Sequence, residues 1–163
     1  MLDWYTLACD HAETNWEIFA DMYDAKQGIS TIPTDIVITN QIPDLVLVNK
    51  TKKLITIVEL TVCFESEIVN AATRKQNRYA SLITDIEQSD FTPSLYTIEI
   101  GSRGLVSMEN QTRLKEIYSQ LNVKQKDIVK MKNQLSKTAL LGSYTIFYSK
   151  FISEWINPPL IKL

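Results

Sequence analysis

Two carboxylates stand at the ends of two apolar runs in PDLVLVNKTKKLITIVELTV: Asp44 heads the first run and Glu59 lies near the end of the second. Residues 45–48 and 54–60 read as buried strands, and the short polar NKTKK between them reads as a hairpin loop. A hairpin folds the second run back along the first, which brings Asp44 and Glu59 side by side. A carboxylate at the edge of such a core costs several kcal/mol to desolvate unless it is paired or binds a cation. Two carboxylates meeting there point to a site for a hard divalent ion, the start of a phosphodiester-cleaving centre.

The elements around this pair follow from periodicity. Residues 66–87 are predicted as a helix that Ser66 caps, with Ile68, Val69, Ala72, Tyr79, Leu82, Ile83 and Ile86 as a broken apolar stripe and Arg74, Lys75 and Arg78 on another side. Pro93 introduces a further strand, SLYTIEI, which ends at Gly101-Ser102-Arg103-Gly104. Two helices are expected over 110–121 and 124–150, the second interrupted at Gly142, and the tail EWINPPLIKL is too proline-rich to stay helical. Upstream, 24–42 reads as a loop with one short extended piece at 35–38. The first thirty residues read two ways. Their acids recur at helical spacing opposite Ala8, Ala12, Trp16, Phe19 and Tyr23, whereas NWEIFADM also alternates as a strand does.

With 163 residues, 45% of them apolar and 22% charged, the chain is expected to form one globular domain with a real core. It has no run of 18 apolar residues, and its N-terminus carries acids where a signal peptide needs a basic start. An intracellular protein with no membrane partner is the expectation. Cys9, Cys63 and the single His11 supply neither a disulfide framework nor zinc-finger spacing, so Cys63 is expected free and reduced. A net charge of -2 argues against indiscriminate coating of nucleic acid, but the charge is uneven. Acids crowd residues 1–30, while Arg103, Arg113, Lys115, Lys124, Lys126, Lys130, Lys132 and Lys137 dominate 103–137. That asymmetry allows a local nucleic-acid surface, and it equally describes solvated helix faces.

The order of PD, ELTV, RKQNRY and GSRG over residues 15–104 resembles the PD-(D/E)XK nuclease superfamily. More closely, WEIFAD, IPTDIVITNQIPDLVLVN, ITIVELTVCFE, ATRKQNRYA and IEIGSRGLV resemble a nuclease-like domain found with reverse transcriptases in animal mobile elements. The resemblance implies an α/β, restriction-endonuclease-like fold: a mixed central sheet flanked by helices, a nuclease-like core over 1–107 and a C-terminal helical extension over 108–163 packed on it. It favours the strand reading at 15–22 and leaves 1–13 for a preceding helix, expected to be truncated here.

By this resemblance Asp44 and Glu59 are the ligands of Mg²⁺ or Mn²⁺, with the carbonyl of Leu60 as a third. The departure is Thr61, which stands where the family has a lysine. Glu59 and Thr61 share a strand face, but a hydroxyl carries no cationic charge. Lys75 on the crossing helix is the candidate replacement, with Tyr79 one turn further on as a packing residue whose hydroxyl lies at the rim. Gly101 and Gly104, through their N–H groups, and Arg74 and Arg103 are the candidate phosphate contacts. Glu65 is read either as an added ligand or, in preference, as the residue that opens the helix against its positive end, and Asp21 is a weaker candidate for the site. The implied activity is metal-dependent DNA endonuclease action for a mobile element, with DNA as partner, a reverse transcriptase domain or a second copy alongside, and a nuclear location if the element is eukaryotic. Two alternatives stand beside it: a degenerate fold that binds nucleic acid without cutting, and a protein-interaction module.

Overall fold

A computed structural model describes residues 15–20 and 32–150. Four strands form one mixed sheet: β1 (Glu17–Ala20), β2 (Leu45–Asn49), β3 (Leu54–Cys63) and β4 (Thr92–Gly101). Their spatial order is their chain order, with β1/β2 and β2/β3 antiparallel and β3/β4 parallel. A parallel pair requires a crossover, and α1 (Ile68–Gln88) supplies it after a single 3₁₀ turn at Glu65–Glu67. Two further helices follow, α2 (Met108–Gln120) and α3 (Gln125–Ser149). This α/β architecture agrees with the expected class, and the strand reading holds for 17–20. The predicted helix over 1–13 and Asp21 lie outside the described residues.

Every residue of β2 is buried, which explains why its sequence is a continuous apolar run rather than an alternation. One face of the sheet packs Val46, Val48, Ile55 and Ile57 against Tyr79, Leu82 and Ile86 of α1. The other packs Leu45, Leu47, Val58, Ile98 and Ile100 against α2 and α3 through residues such as Leu114, Ile117, Leu135 and Ala139. Both C-terminal helices therefore share a core with the sheet. Among the described residues, no helix is long and apolar enough to cross a membrane.

Local chemistry sets the ends of these elements. Lys53 and Asp90 take left-handed backbone angles at the close of the hairpin and just past α1, and Thr92 N–H donates to the Lys53 carbonyl, tying β4 to the turn. Ser107 caps α2 by accepting from Asn110 N–H at 3.1 Å. Pro93 is tolerated inside β4 because that strand is an edge of the sheet. Gly104 has φ +85°, and a β-carbon there would lie 2.8 Å from the Ser136 carbonyl oxygen, so glycine is required on both counts where the post-β4 turn meets α3.

Three local expectations are corrected. Ser66 does not cap α1, because it lies within the 3₁₀ turn and the cap position falls to Glu67, whose side chain makes no capping bond. Residues 35–38 are not an extended strand: the Pro33 carbonyl accepts from Ile36 N–H and Val37 N–H, which closes a turn. Gly142 does not interrupt α3, which runs to Ser149. One glycine costs a helix only about 1 kcal/mol, too little to break 25 residues anchored at Ile128, Met131, Leu135 and Ala139.

Candidate active site

The hairpin sets Leu45 opposite Val58, so β3 runs on past the start of β2 and, among the described residues, no strand lies beside that flank. The side chain of Asp44 takes the missing strand's place. Its Oδ2 accepts from Leu60 N–H at 2.7 Å, and Asp44 N–H donates to Glu59 Oε1 at 3.2 Å. Each acid thus binds the backbone beside the other, which brings the two carboxylates together as the hairpin requires. In a strand, the N–H and C=O of one residue leave on the same side, so the Leu60 carbonyl faces the Asp44 flank as well.

Glu59 is 1% exposed, a burial that a lone carboxylate would not tolerate. The compensating charge comes from α1. Lys75 Nζ forms an ion pair and hydrogen bond with Glu59 Oε2 while keeping 24% of its side chain accessible. One turn further, Tyr79 is fully buried, where the sequence suggested a hydroxyl at the rim. Its hydroxyl donates to the Ile42 carbonyl at 3.4 Å. Burial, then the hydrogen bond and charge of Glu59, push its pKa well above the usual tyrosine value, so it stays a neutral donor.

Thr61 lies next along the same face of β3, and its Oγ1 is buried without a hydrogen-bond partner. In the parallel register Thr61 is opposite Glu99 of β4, a residue that the sequence reading passed over. Glu99 is 1% exposed, and its Oε1 is also buried without a partner. Its other oxygen lies 3.5 Å from Arg113 Nη1, which reaches over the edge of β4 and donates to the Thr97 carbonyl at 2.7 Å. Burial raises the pKa of Glu99, against the opposing pull of Thr97, Arg113 and Asn110. The available signal was its place within an apolar strand, since an acid at an inward position is rarely idle.

The remaining candidates divide. Arg74 is exposed on α1, near enough to Cys63 to oppose the rise that burial and then Glu99 impose on that thiol. Cys63 is free, as expected. Arg103 is 80% exposed, with its Nε 3.2 Å from Glu65 Oε1. Glu65 also accepts from Arg103 N–H at 3.0 Å, and its own N–H and these Arg103 donors hold its carboxyl below the usual range. Gly101 and Gly104 do not offer N–H groups to a phosphate, because these donate to the Leu105 and Gly101 carbonyls. Of the basic stretch 103–137, Arg113 is spent on Glu99, Glu109 and Thr97, while Lys132 donates to Gln111. The helices that carry the stretch lie across the sheet from Glu59, so it does not gather around the acids.

Among the described residues, no group of three or more His, Cys, Asp or Glu side chains converges as a metal cluster. The donor set at Asp44 and Glu59 is nevertheless all oxygen and suits Mg²⁺ or Mn²⁺ rather than zinc. Mg²⁺ is held through one or two carboxylates, and water and substrate phosphate complete its shell. Both Glu59 oxygens already accept one hydrogen bond each, but a carboxylate has about four lone-pair sites, which leaves capacity for a metal. Comparison with models of known protein families gives no match, and comparison with curated proteins gives none of significance.

Proposed function

We propose that the chain is a metal-dependent DNA endonuclease of PD-(D/E)XK type that hydrolyses phosphodiester bonds. The observation that carries this reading is the convergence of Asp44, Glu59 and Lys75: two carboxylates locked onto adjoining backbone and one ammonium brought over them by a crossing helix. The β2–β3 hairpin followed by α1 and a parallel β4 also suits a restriction-endonuclease-like core.

In this reading Asp44, Glu59 and the Leu60 carbonyl hold Mg²⁺ or Mn²⁺. When bound there, such an ion would supply charge stabilisation for an attacked phosphate and would ease deprotonation of a water. Lys75 replaces the lysine that Thr61 lacks: its ammonium, fixed by Glu59, can orient a nucleophilic water or a phosphate oxygen by hydrogen bonding. Tyr79, one turn beyond Lys75, is buried and ties α1 to the Ile42 carbonyl just before Asp44. Service to a mobile element, alongside a reverse transcriptase domain, follows from the motif resemblance alone.

The test is cleavage of a labelled plasmid across a titration of Mg²⁺ and Mn²⁺. Cutting is expected with either ion, and Asp44→Asn and Glu59→Gln are expected to abolish it in folded protein. Full activity in either variant would refute the assignment. Salt-dependent DNA binding with no cutting under any divalent ion would instead establish a binding fold that has lost its chemistry.

A further inference from the structure

Where β3 and β4 end, the surface changes character. A groove of about 570 Å³ runs between the last residues of β3, the turn after β4 and the final turns of α3. Phe64, Tyr144 and Phe147 are among its walls, and they are 73%, 59% and 60% exposed. The Tyr144 ring stacks on Tyr148 with centroids 5.9 Å apart, which presents a broad aromatic surface. The charged residues that line the groove, Arg103 and Lys150, are both cationic.

We infer that this groove takes an unpaired nucleic-acid strand. Exposed aromatic rings offer π-faces to bases, and flanking cations offer charge to phosphates, the combination by which proteins hold single strands without reading sequence. A duplex hides its base faces in the stack and leaves such rings uncovered. The groove volume falls in the range of pockets that enclose a small organic ligand, enough for a base and its sugar. Phe64 follows Glu59 by five residues, about 16 Å along an extended chain, and because the groove lies on the α3 side of the sheet, a strand held there reaches the carboxylates by passing around the end of β3. The inference rests on the nuclease reading for its purpose: a substrate with a single-stranded flank beside the scissile bond, as at a nick, flap or strand end. Its binding chemistry stands by itself.

Fluorescence anisotropy on the full chain tests it, in EDTA and with Asp44→Asn present throughout, so that failure to cut DNA bears on the enzyme reading alone. The probes are a labelled thymidine decamer and a blunt duplex of the same length. The unpaired strand is expected to bind more tightly at equal salt. Phe64→Ala and Tyr144→Ala are each expected to weaken it by about ten-fold, in line with loss of one stacked base, while duplex binding changes by less than about two-fold. Both side chains are more than half exposed, so the variants should fold, and circular dichroism verifies this. Unchanged affinity of both variants for the decamer, or a parent that prefers duplex, overturns the inference. So does light scattering showing a dimer that Tyr144→Glu converts to a monomer, which would assign the aromatic face to contact with a second copy.

Discussion

Replacing Lys75 by methionine keeps the length of the side chain and removes its charge, which leaves Glu59 buried at 1% exposure with its cation gone. Removing one partner of a fully buried ion pair costs about 3–5 kcal/mol. Lys75 is 24% accessible, so water already screens part of the attraction, and about 2–3 kcal/mol is the appropriate expectation here. With a urea slope of about 2 kcal/mol/M, the unfolding midpoint should fall by roughly 1 M. Glu59→Gln should cost less, about 1 kcal/mol, because the released ammonium can turn to solvent while a buried carboxylate cannot. The double variant should therefore be more stable than the sum of the single losses predicts, by about 1–2 kcal/mol of coupling. Magnesium adds a second readout. With the ammonium gone, the carboxylates lack a counter-charge, so 10 mM Mg²⁺ at a dissociation constant of about 1 mM should return about 1.4 kcal/mol to Lys75→Met. It should return nothing when Glu59→Gln is added. Additive losses would show that the pair does not couple, and a Mg²⁺-insensitive Lys75→Met would refute the claim that these carboxylates suit a hard cation.

Three further outcomes follow from the geometry. Glu99 has its pKa raised by burial, so its contribution to stability is complete below the ordinary carboxylate pKa and is lost as pH rises through the raised folded value. Glu99→Gln should therefore gain on the parent in denaturation midpoint from the acid range to neutrality, and a constant difference across pH would refute this. Lys75→Ala should lower turnover far more than DNA affinity, and Thr61→Lys should restore part of the loss. Because residue 61 faces Glu99 across the parallel pair, the new amine will be drawn toward that acid. Adding Glu99→Gln should then raise turnover further, whereas no gain would sink the register argument. Arg103→Ala should reduce the salt dependence of DNA binding by about one unit of slope, and an unchanged slope would assign its exposed guanidinium to the Glu65 contact alone.

What the sequence disclosed was whatever depends on near neighbours. The β2–β3 hairpin, the apolar stripe of α1 and the extents of α2 and α3 all follow from spacing within a single segment, and the Asp44–Glu59 meeting follows from one short turn. What it withheld depends on contacts between distant segments. Glu99 is one polar residue in an alternating strand until β4 lies parallel to β3, and only then does it meet Thr61. The GSRG turn looked open to a ligand, yet Gly101 and Gly104 donate within the turn to the Leu105 and Gly101 carbonyls, and the Ser102 and Arg103 amides find distant partners in the Cys63 carbonyl and Glu65. The failed strand at 35–38 has the opposite cause, a local turn on the Pro33 carbonyl that outweighs the β-branched composition of the segment.

The source of the ammonium changes what the site depends upon. A lysine at position 61 would rise from β3 itself and share the rigidity of a strand that β4 pairs along its whole length. Lys75 instead arrives on a helix, so its position relative to Glu59 is only as firm as the docking of α1 through Ala71, Tyr79, Leu82 and Ile86. Tyr79 joins the two, because its ring fills the interface between α1 and the sheet while its hydroxyl donates to the Ile42 carbonyl, two residues before Asp44. Loosening that interface would move the ammonium without touching any charged group. A core substitution such as Leu82→Ala, worth about 2–5 kcal/mol in stability, therefore acts on the same geometry as loss of Lys75 itself. A strand-borne lysine would be indifferent to it. In this chain the chemistry and the packing of one helix are a single structural problem, and it is Thr61 that makes them so.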